Sequence, residues 1–256
     1  HRELAAAIAQ HKAKGGSIVV LDAKTGEILA LSNLPDFNPN NRRDYQPGPM
    51  RNRAVIDTFE PGSTVKPFVA AAVLERGLVN PQTVIPTPPN FKVGPKLVRD
   101  EHPHDSLTVT EIIQKSSNIG AAKLAMMLTP EQHWSVLNRA GFGQLPGSGF
   151  PGETAGRLRD YATWKPVEQA TMAYGYGLSV SLLQLARAYM AFANDGEVMP
   201  LSFLKREPQE IVGERVFSPA IAREVRTMME AVTQEGGTGT RTRVPGYRVA
   251  GKTGTA

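Results

Sequence analysis

Three short polar clusters in the 256-residue chain carry side chains that together can do acyl chemistry: Ser63-Thr64-Val65-Lys66, Ser116-Ser117-Asn118 and Lys252-Thr253-Gly254. A serine hydroxyl is a weak nucleophile until a base takes its proton, and a lysine serves as that base only when burial or a nearby cation lowers its pKa. Ser63 and Lys66 stand three residues apart, so on a helix they share one face. Lys252 would add like-charge pressure on Lys66. Ser116 would relay a proton towards a leaving amine, and Asn118 would hold both Lys66 and a substrate amide.

Each cluster alone is weak, because the chain repeats two of them: Ser202-Phe203-Leu204-Lys205 is a second Ser-x-x-Lys and Lys24-Thr25-Gly26 a second Lys-Thr-Gly. Local context separates the copies. Ser63 follows Pro61-Gly62 and opens an apolar run with Pro67 in its first turn and Gly77 as a stop, a helix whose positive end favours an anion developing at the serine. Ser202 follows Pro200 in a charged segment that reads as a strand end or loop. Lys24-Thr25-Gly26 reads as the loop of a hairpin, where turn geometry explains the residues.

The elements that must position these clusters follow from periodicity. Residues 2–13 read as a short amphipathic helix stopped by Gly15-Gly16, and residues 17–22 and 27–32 as the two strands of a hairpin. The stretch 33–62 reads as loop, and the Pro-rich stretch 80–106 as an irregular or small β insertion. Thr108 and Glu111 form a capping-box signature for a helix ending near Lys115, and Ser116-Ser117-Asn118 breaks it before helical spacing resumes over 119–128. Further helices are predicted from Thr129-Pro130 to Gly141, over 181–193, and from Ser218-Pro219 through Met229, with a strand in the tail 246–256. Two strands, a long helical block and a strand at the end make an α+β fold with the sheet built from the chain ends. Parallel βαβ winding does not fit.

Composition narrows the function. The chain has no cysteine, which excludes a disulfide scaffold, a thiolate metal site and a cysteine nucleophile. Lys and Arg number 29 against 24 Asp and Glu, a net charge of +5 with no basic run, and no nucleic-acid partner is expected. The longest apolar stretch, around residues 67–74, is far short of the ~20 residues that span a bilayer. His102-Pro103-His104-Asp105 reads as a polar loop, so no metal and no cofactor is expected. Met126-Met127 and Met228-Met229 are expected in helical core, and Trp134 and Trp164 in packing.

In order and type the three clusters match the set described for penicillin-binding proteins and serine β-lactamases. Further strings extend the likeness over essentially all 256 residues: Phe59-Glu60-Pro61-Gly62, Gln114-Lys115 with Ile119-Gly120, Phe150-Pro151-Gly152-Glu153, Tyr174-Gly175-Tyr176-Gly177-Leu178, Leu183-Gln184-Leu185-Ala186-Arg187-Ala188-Tyr189 and Gly236-Gly237-Thr238-Gly239-Thr240. The chain resembles the transpeptidase domain of class B high-molecular-weight penicillin-binding proteins, most closely the septal FtsI-type enzymes of Gram-negative bacteria. The resemblance implies the transpeptidase fold, an antiparallel sheet flanked by a mostly helical subdomain. It implies Ser63 as the acylated nucleophile, Lys66 as its base, Ser116, Asn118 and Lys252 in the proton and substrate network, and Thr253, Gly254 and Thr255 at the substrate carboxylate. The backbone N–H groups of Ser63 and Thr255 would form the oxyanion hole. The implied reaction cross-links peptidoglycan stem peptides, a D-Ala-D-Ala donor and an amine acceptor, and β-lactam antibiotics would acylate the same serine.

Family members carry a single-pass inner-membrane anchor and a pedestal domain before a periplasmic catalytic domain, and continue past the third motif with two strands and a terminal helix. On that resemblance residues 1–256 are expected to be a transpeptidase domain cut at both ends, lacking its C-terminal strands. Division-machinery membrane proteins, a glycosyltransferase among them, would dock through the absent regions. Two other readings share the motifs: a secreted serine β-lactamase, and a non-catalytic β-lactam sensor. Against the first, the closest match to the water-activating Glu-x-x-Leu-Asn element is Trp134-Ser135-Val136-Leu137-Asn138, with Trp in the Glu position, and Glu153 reads as a loop-capping carboxylate.

Overall fold

The computed structural model describes residues 1–41, 43, 45–207 and 211–255. Helix α1 (Arg2–His11) leads into a hairpin of β1 (Gly16–Leu21) and β2 (Ile28–Leu34), paired antiparallel with Gly16 opposite Leu34 and a bulge between Val20 and Leu21. Helix α1 stops at Lys12 rather than at the glycine pair. Lys12 takes a left-handed conformation, and the amides of Lys12 and Ala13 close on the carbonyls of Ala9 and Ile8, so the last turn is satisfied without glycine.

Two one-turn helices, α2 (Pro47–Met50) and α3 (Arg53–Ile56), interrupt the stretch expected to be loop. The cause of α3 is tertiary. The Asn33 side chain accepts from the Ala54 amide and donates to Asn52, and Ala54 and Val55 are buried.

A 3-10 turn, Gly62–Val65, runs into α4 (Lys66–Glu75), which is buried from Lys66 to Leu74. A helix apolar all round has no solvent face and must lie in the middle. Accordingly α4 packs against α5 (Val109–Gln114), α6 (Asn118–Ala125), α7 (Pro130–Arg139) and α10 (Pro219–Thr233), with Phe68 edge-on to Phe142 and Tyr189. Helix α6 also contacts α8 (Pro166–Met172), and α9 (Leu182–Ala193) lies between β1 and α10. The insertion at 80–106 is the small β structure expected. Strand β3 (Val84–Pro86) pairs with β6 (Ser106–Thr108), and β4 (Phe91–Val93) with β5 (Lys96–Val98). Strands β7 (Glu197–Val198) and β8 (Glu214–Arg215) form a fourth ladder.

Capping residues fix the helix starts as read from the sequence: Thr108, Thr129 and Ser181 each make a capping box. Three more expectations need correction. Helix α10 continues to Thr233, one turn past Met229. Met126 and Met127 are 41% and 42% exposed, not core, because Gln169 donates to the carbonyls of Ala125 and Leu128, closing α6 beneath them and turning this corner outward. Met228 and Met229 are buried as expected. Finally, the tail through residue 255 has no ladder partner among the described residues; its Gly251 amide bonds instead to the Met229 carbonyl, one turn before the end of α10. Alternation in sequence suggests which face is apolar, but only a hydrogen-bonding neighbour makes a strand. Among the described residues no helix is long and apolar enough to cross a membrane.

Candidate active site

Three backbone segments converge at the start of α4, and glycine is what lets them meet. Gly62 and Gly175 both have positive φ, at 56° and 89°. A Cβ on Gly175 would lie 2.0 Å from the Gly62 carbonyl oxygen, and one on Gly62 would lie 2.2 Å from that of Thr255. No side chain is accommodated at such distances, so Gly62-Ser63, Tyr174-Gly175 and Gly254-Thr255 stack backbone to backbone. The Tyr189 hydroxyl of α9 donates to the Thr64 carbonyl at 2.7 Å and pins the turn from the other side. Gly254 itself lies against the Thr64 side chain.

Between α5 and α6 the chain kinks at Ser116, a non-glycine residue at φ 60°. Such a conformation costs on the order of 1 kcal/mol and here aims Ser116 Oγ at two ammonium groups. Lys66 Nζ donates to Ser116 Oγ at 3.2 Å, to the Ser116 carbonyl at 2.5 Å and to Asn118 Oδ1 at 2.8 Å. Lys252 Nζ donates to Ser116 Oγ at 2.8 Å and to the Thr253 carbonyl at 3.0 Å. Burial pushes the pKa of Lys66 well down, the Lys252 charge pushes it further, and Asp100 opposes both. Burial lowers Lys252 to about 8. The pressure on Lys66 expected from its sequence position is therefore present, with desolvation ahead of like-charge repulsion.

Ser63 and Ser116, with Asn118, Thr253 and Thr255, line one cavity of about 330 Å³. Lys66 lies buried beneath it. The Ser63 hydroxyl makes no hydrogen bond to another described residue, and neither do the backbone N–H groups of Ser63 and Thr255. A half-buried hydroxyl free to face the cavity, beside two unengaged amides, is the arrangement an oxyanion hole requires. The second copies stay apart: Ser202 Oγ is turned to the Leu204 carbonyl, and Lys24 and Thr25 donate their amides to Asp22 in the hairpin loop.

Several residues at the site lie outside the set expected from the three motifs. Asp100 accepts from the Asn118 amide at 2.5 Å, the Ile119 amide at 3.0 Å and the Ser117 hydroxyl at 2.6 Å, holding the N-terminus of α6 and with it the Ser-Ser-Asn motif. Its partners lie up to nineteen residues away, beyond any capping pattern. Thr238 bonds Thr253, hydroxyl to hydroxyl, at 2.7 Å, and its loop is tied to α5 by Lys115 donating to the Gly236 carbonyl. Tyr174, Tyr176, Glu101, His102 and His104 also line the cavity. Among the described residues no cluster of His, Asp or Glu could hold a metal.

An α+β domain that gathers Ser-x-x-Lys, Ser-x-Asn and Lys-Thr-Gly around one cavity is of the penicillin-recognising serine class. Residues 16–256 match the penicillin binding protein transpeptidase domain, and the chain belongs to that family, in its class B, FtsI-type branch. It is 50% identical to a probable peptidoglycan D,D-transpeptidase, PenA, of Neisseria gonorrhoeae over 258 residues, covering 100% of this chain and 44% of that protein. To the peptidoglycan D,D-transpeptidase FtsI of Escherichia coli K12 it is 43% identical, over 100% of this chain and 43% of that protein. The chain thus spans under half the length of these relatives. Among solved structures it is similar to the TP domain of Burkholderia pseudomallei penicillin-binding protein 3 in its apo form, with a TM-score of 0.90 and 47% identity over 99% of this chain and 72% of that one. A peptidoglycan glycosyltransferase structure from Burkholderia ambifaria gives a TM-score of 0.92 at 49% identity, over 100% of this chain and 77% of that one.

Proposed function

We propose that residues 1–256 are the transpeptidase domain of a longer peptidoglycan D,D-transpeptidase that cross-links stem peptides through an ester on Ser63 during septal wall synthesis. The observation that carries this reading is the unbonded Ser63 hydroxyl, facing a cavity whose wall presents Ser116 Oγ bridged by two pKa-depressed lysines. Lys66 in its neutral form exchanges one of its three acceptors for Ser63 Oγ and takes that proton as the hydroxyl attacks the carbonyl between the two D-alanines. Oxygen charge develops between the N–H groups of Ser63 and Thr255. The terminal carboxylate lies against Thr253, Gly254 and Thr255 near Lys252, and Ser116 relays to the departing D-Ala the proton that Lys66 took from Ser63, Lys66 reprotonating Ser116 Oγ as the C–N bond breaks. An amine from a second stem then attacks the ester. A β-lactam enters the first half of this sequence and stays as the ester. No cofactor is required.

The relatives' names support the reaction, and the family's architecture supports a periplasmic domain behind an inner-membrane anchor and pedestal, with division proteins as partners there. The hydrolase alternative needs a base over the ester. Trp134 occupies the Glu position of that element in α7, and Glu153 accepts from the Gly147 and Ser148 amides and the Ser148 hydroxyl, so it caps a loop. The cavity does carry Glu101 and His104. Mass spectrometry on the full-length protein decides: penicillin should label the Ser63 peptide in a lasting 1:1 adduct, Ser63→Ala should take none, and stem pentapeptides should yield dimer. Release of hydrolysed drug over many turnovers would turn the reading to β-lactamase, and a stable adduct without any peptide product would turn it to a sensor.

A further inference from the structure

A second cavity, of about 380 Å³, adjoins the first along Asn118, Tyr174 and Tyr176, which line both. Its other wall is β5, with Lys96 and Leu97, and Arg99 just past the strand. No carboxylate lines this cavity. Lys96 and Arg99 are exposed, and neither side chain makes an ion pair or hydrogen bond with a described residue. Other arginines differ: Arg159 is paired with Glu168, Arg226 with Asp195 and Arg248 with Glu230. The acid nearest in sequence, Asp100, does not serve Arg99 as a counter-ion, because both its oxygens are held by the N-terminus of α6. Two cations without a counter-charge, beside an aliphatic residue and two tyrosines, form an anion site with an apolar shoulder.

Whatever reaches this site while its reacting end is at Ser63 must pass Asn118, so it is an extended molecule with a charge several bonds from the reacting carbon. A stem peptide has this chemistry: its γ-linked D-glutamyl unit keeps a free α-carboxylate, and a diacid third residue keeps another. Resting on the transpeptidase reading above, we propose that Lys96 and Arg99 bind a side carboxylate of the stem peptide in this second cavity, making β5 a specificity wall for anionic stems. Either the donor or the acceptor stem can bring that carboxylate.

The test uses the full-length protein, a donor pentapeptide ending in D-Ala-D-Ala with its amine blocked, and an acceptor tetrapeptide, each with side carboxylates free or amidated. D-Ala release reads the donor, and dimer yield at fixed donor reads the acceptor. On one arm the free form should be preferred by about tenfold in kcat/KM, and Lys96→Gln with Arg99→Gln together should bring that ratio to about one. The arm that responds names the stem. Arg99→Glu should invert the preference, and Lys92→Gln, on the same hairpin but outside the cavity, should keep it. Melting temperatures within a few degrees of the parent establish that the variants fold. A ratio near one in the parent, a ratio that survives the double substitution, or an equal loss in Lys92→Gln overturns the assignment. If penicillin labels Ser63 yet no stem peptide is turned over, the transpeptidase reading fails and takes this one with it.

Discussion

Lys66 and His133 are each 1% exposed, and in both cases burial drives the pKa down, for His133 to about 4. Their surroundings differ. All three hydrogens of a Lys66 ammonium have an oxygen to meet, one of those oxygens is shared with Lys252, and a cavity opens above. His133, on α7, has no hydrogen bond on either ring nitrogen and sits edge-on to Trp164 at 5.5 Å between ring centroids. Lys66 can therefore exist in both protonation states and pass between them, whereas His133 is tolerated only as a neutral, space-filling ring. A depressed pKa marks burial. Partners and an open approach mark function.

The largest effect expected from this contrast is at Lys66. Lys66→Met keeps the length of the side chain and removes the proposed base, so acylation of Ser63 by penicillin should fall by about 1000-fold, the middle of the range for general-base loss. Thermal stability should change little, since loss of three hydrogen bonds is offset by loss of a buried charge. In the parent, acylation should rise with pH through an ionisation well below that of a free lysine, because the neutral amine is the active form. Stopped-flow rates that stay within tenfold of the parent would remove Lys66 from the proton path.

At His133 the expected effect is on stability alone. The unfolded imidazole binds its proton near pH 6.5 and the folded one near 4, so the folded state loses stability as pH falls through that window and levels off below it. The full loss is about 3 kcal/mol. His133→Leu should abolish this part of the acid dependence, leave acylation unchanged, and at pH 7 cost nothing or stabilise slightly, since two unpaired nitrogens leave the core. Urea unfolding at pH 7 and pH 4 measures it. An equal acid loss in parent and variant would mean that His133 finds a proton acceptor after all.

How far the sequence exposes these arrangements depends on the range of the interactions. Capping boxes at Thr108, Thr129 and Ser181 span three residues and are visible as strings, as is the Ser63–Lys66 pair. The flanking residues alone distinguish the setting of Ser63 from that of Ser202, because a helix start is a local event. By contrast α3 is held by Asn33, about twenty residues upstream, and Met126 is exposed because of Gln169 in another helix. Asp100 falls in the same group: nothing in Arg99-Asp100-Glu101 announces an acid that caps α6 across a loop. Alternation in the tail suggested a strand, but ladder partners are not encoded in the strand itself.

The smallest effect, and the one that sharpens the contrast most finely, concerns Thr238. Its hydroxyl bonds that of Thr253 at 2.7 Å, while among the described residues the only other side-chain hydrogen bond of the Thr253 hydroxyl is to Lys252 Nζ, at 3.5 Å. The Thr238 loop hangs from α5, through Lys115 to the Gly236 carbonyl and Gln114 to that of Glu235, so the helix that delivers Ser116 also orients the Thr253 hydroxyl, which on the proposed mechanism faces the substrate carboxylate. Thr238→Val keeps the shape of the side chain and removes this bond, freeing Thr253 to rotate. One exposed hydroxyl pair contributes about 1 kcal/mol, which corresponds to roughly a fivefold weaker binding step. The concentration of penicillin needed for half-maximal acylation should rise by that factor, while the limiting rate and its pH profile hold, because Lys66 keeps all its partners. A lower limiting rate with unchanged binding would instead show that Thr238 acts through Lys252 on the proton path, and the carboxylate grip and the base would then be one network.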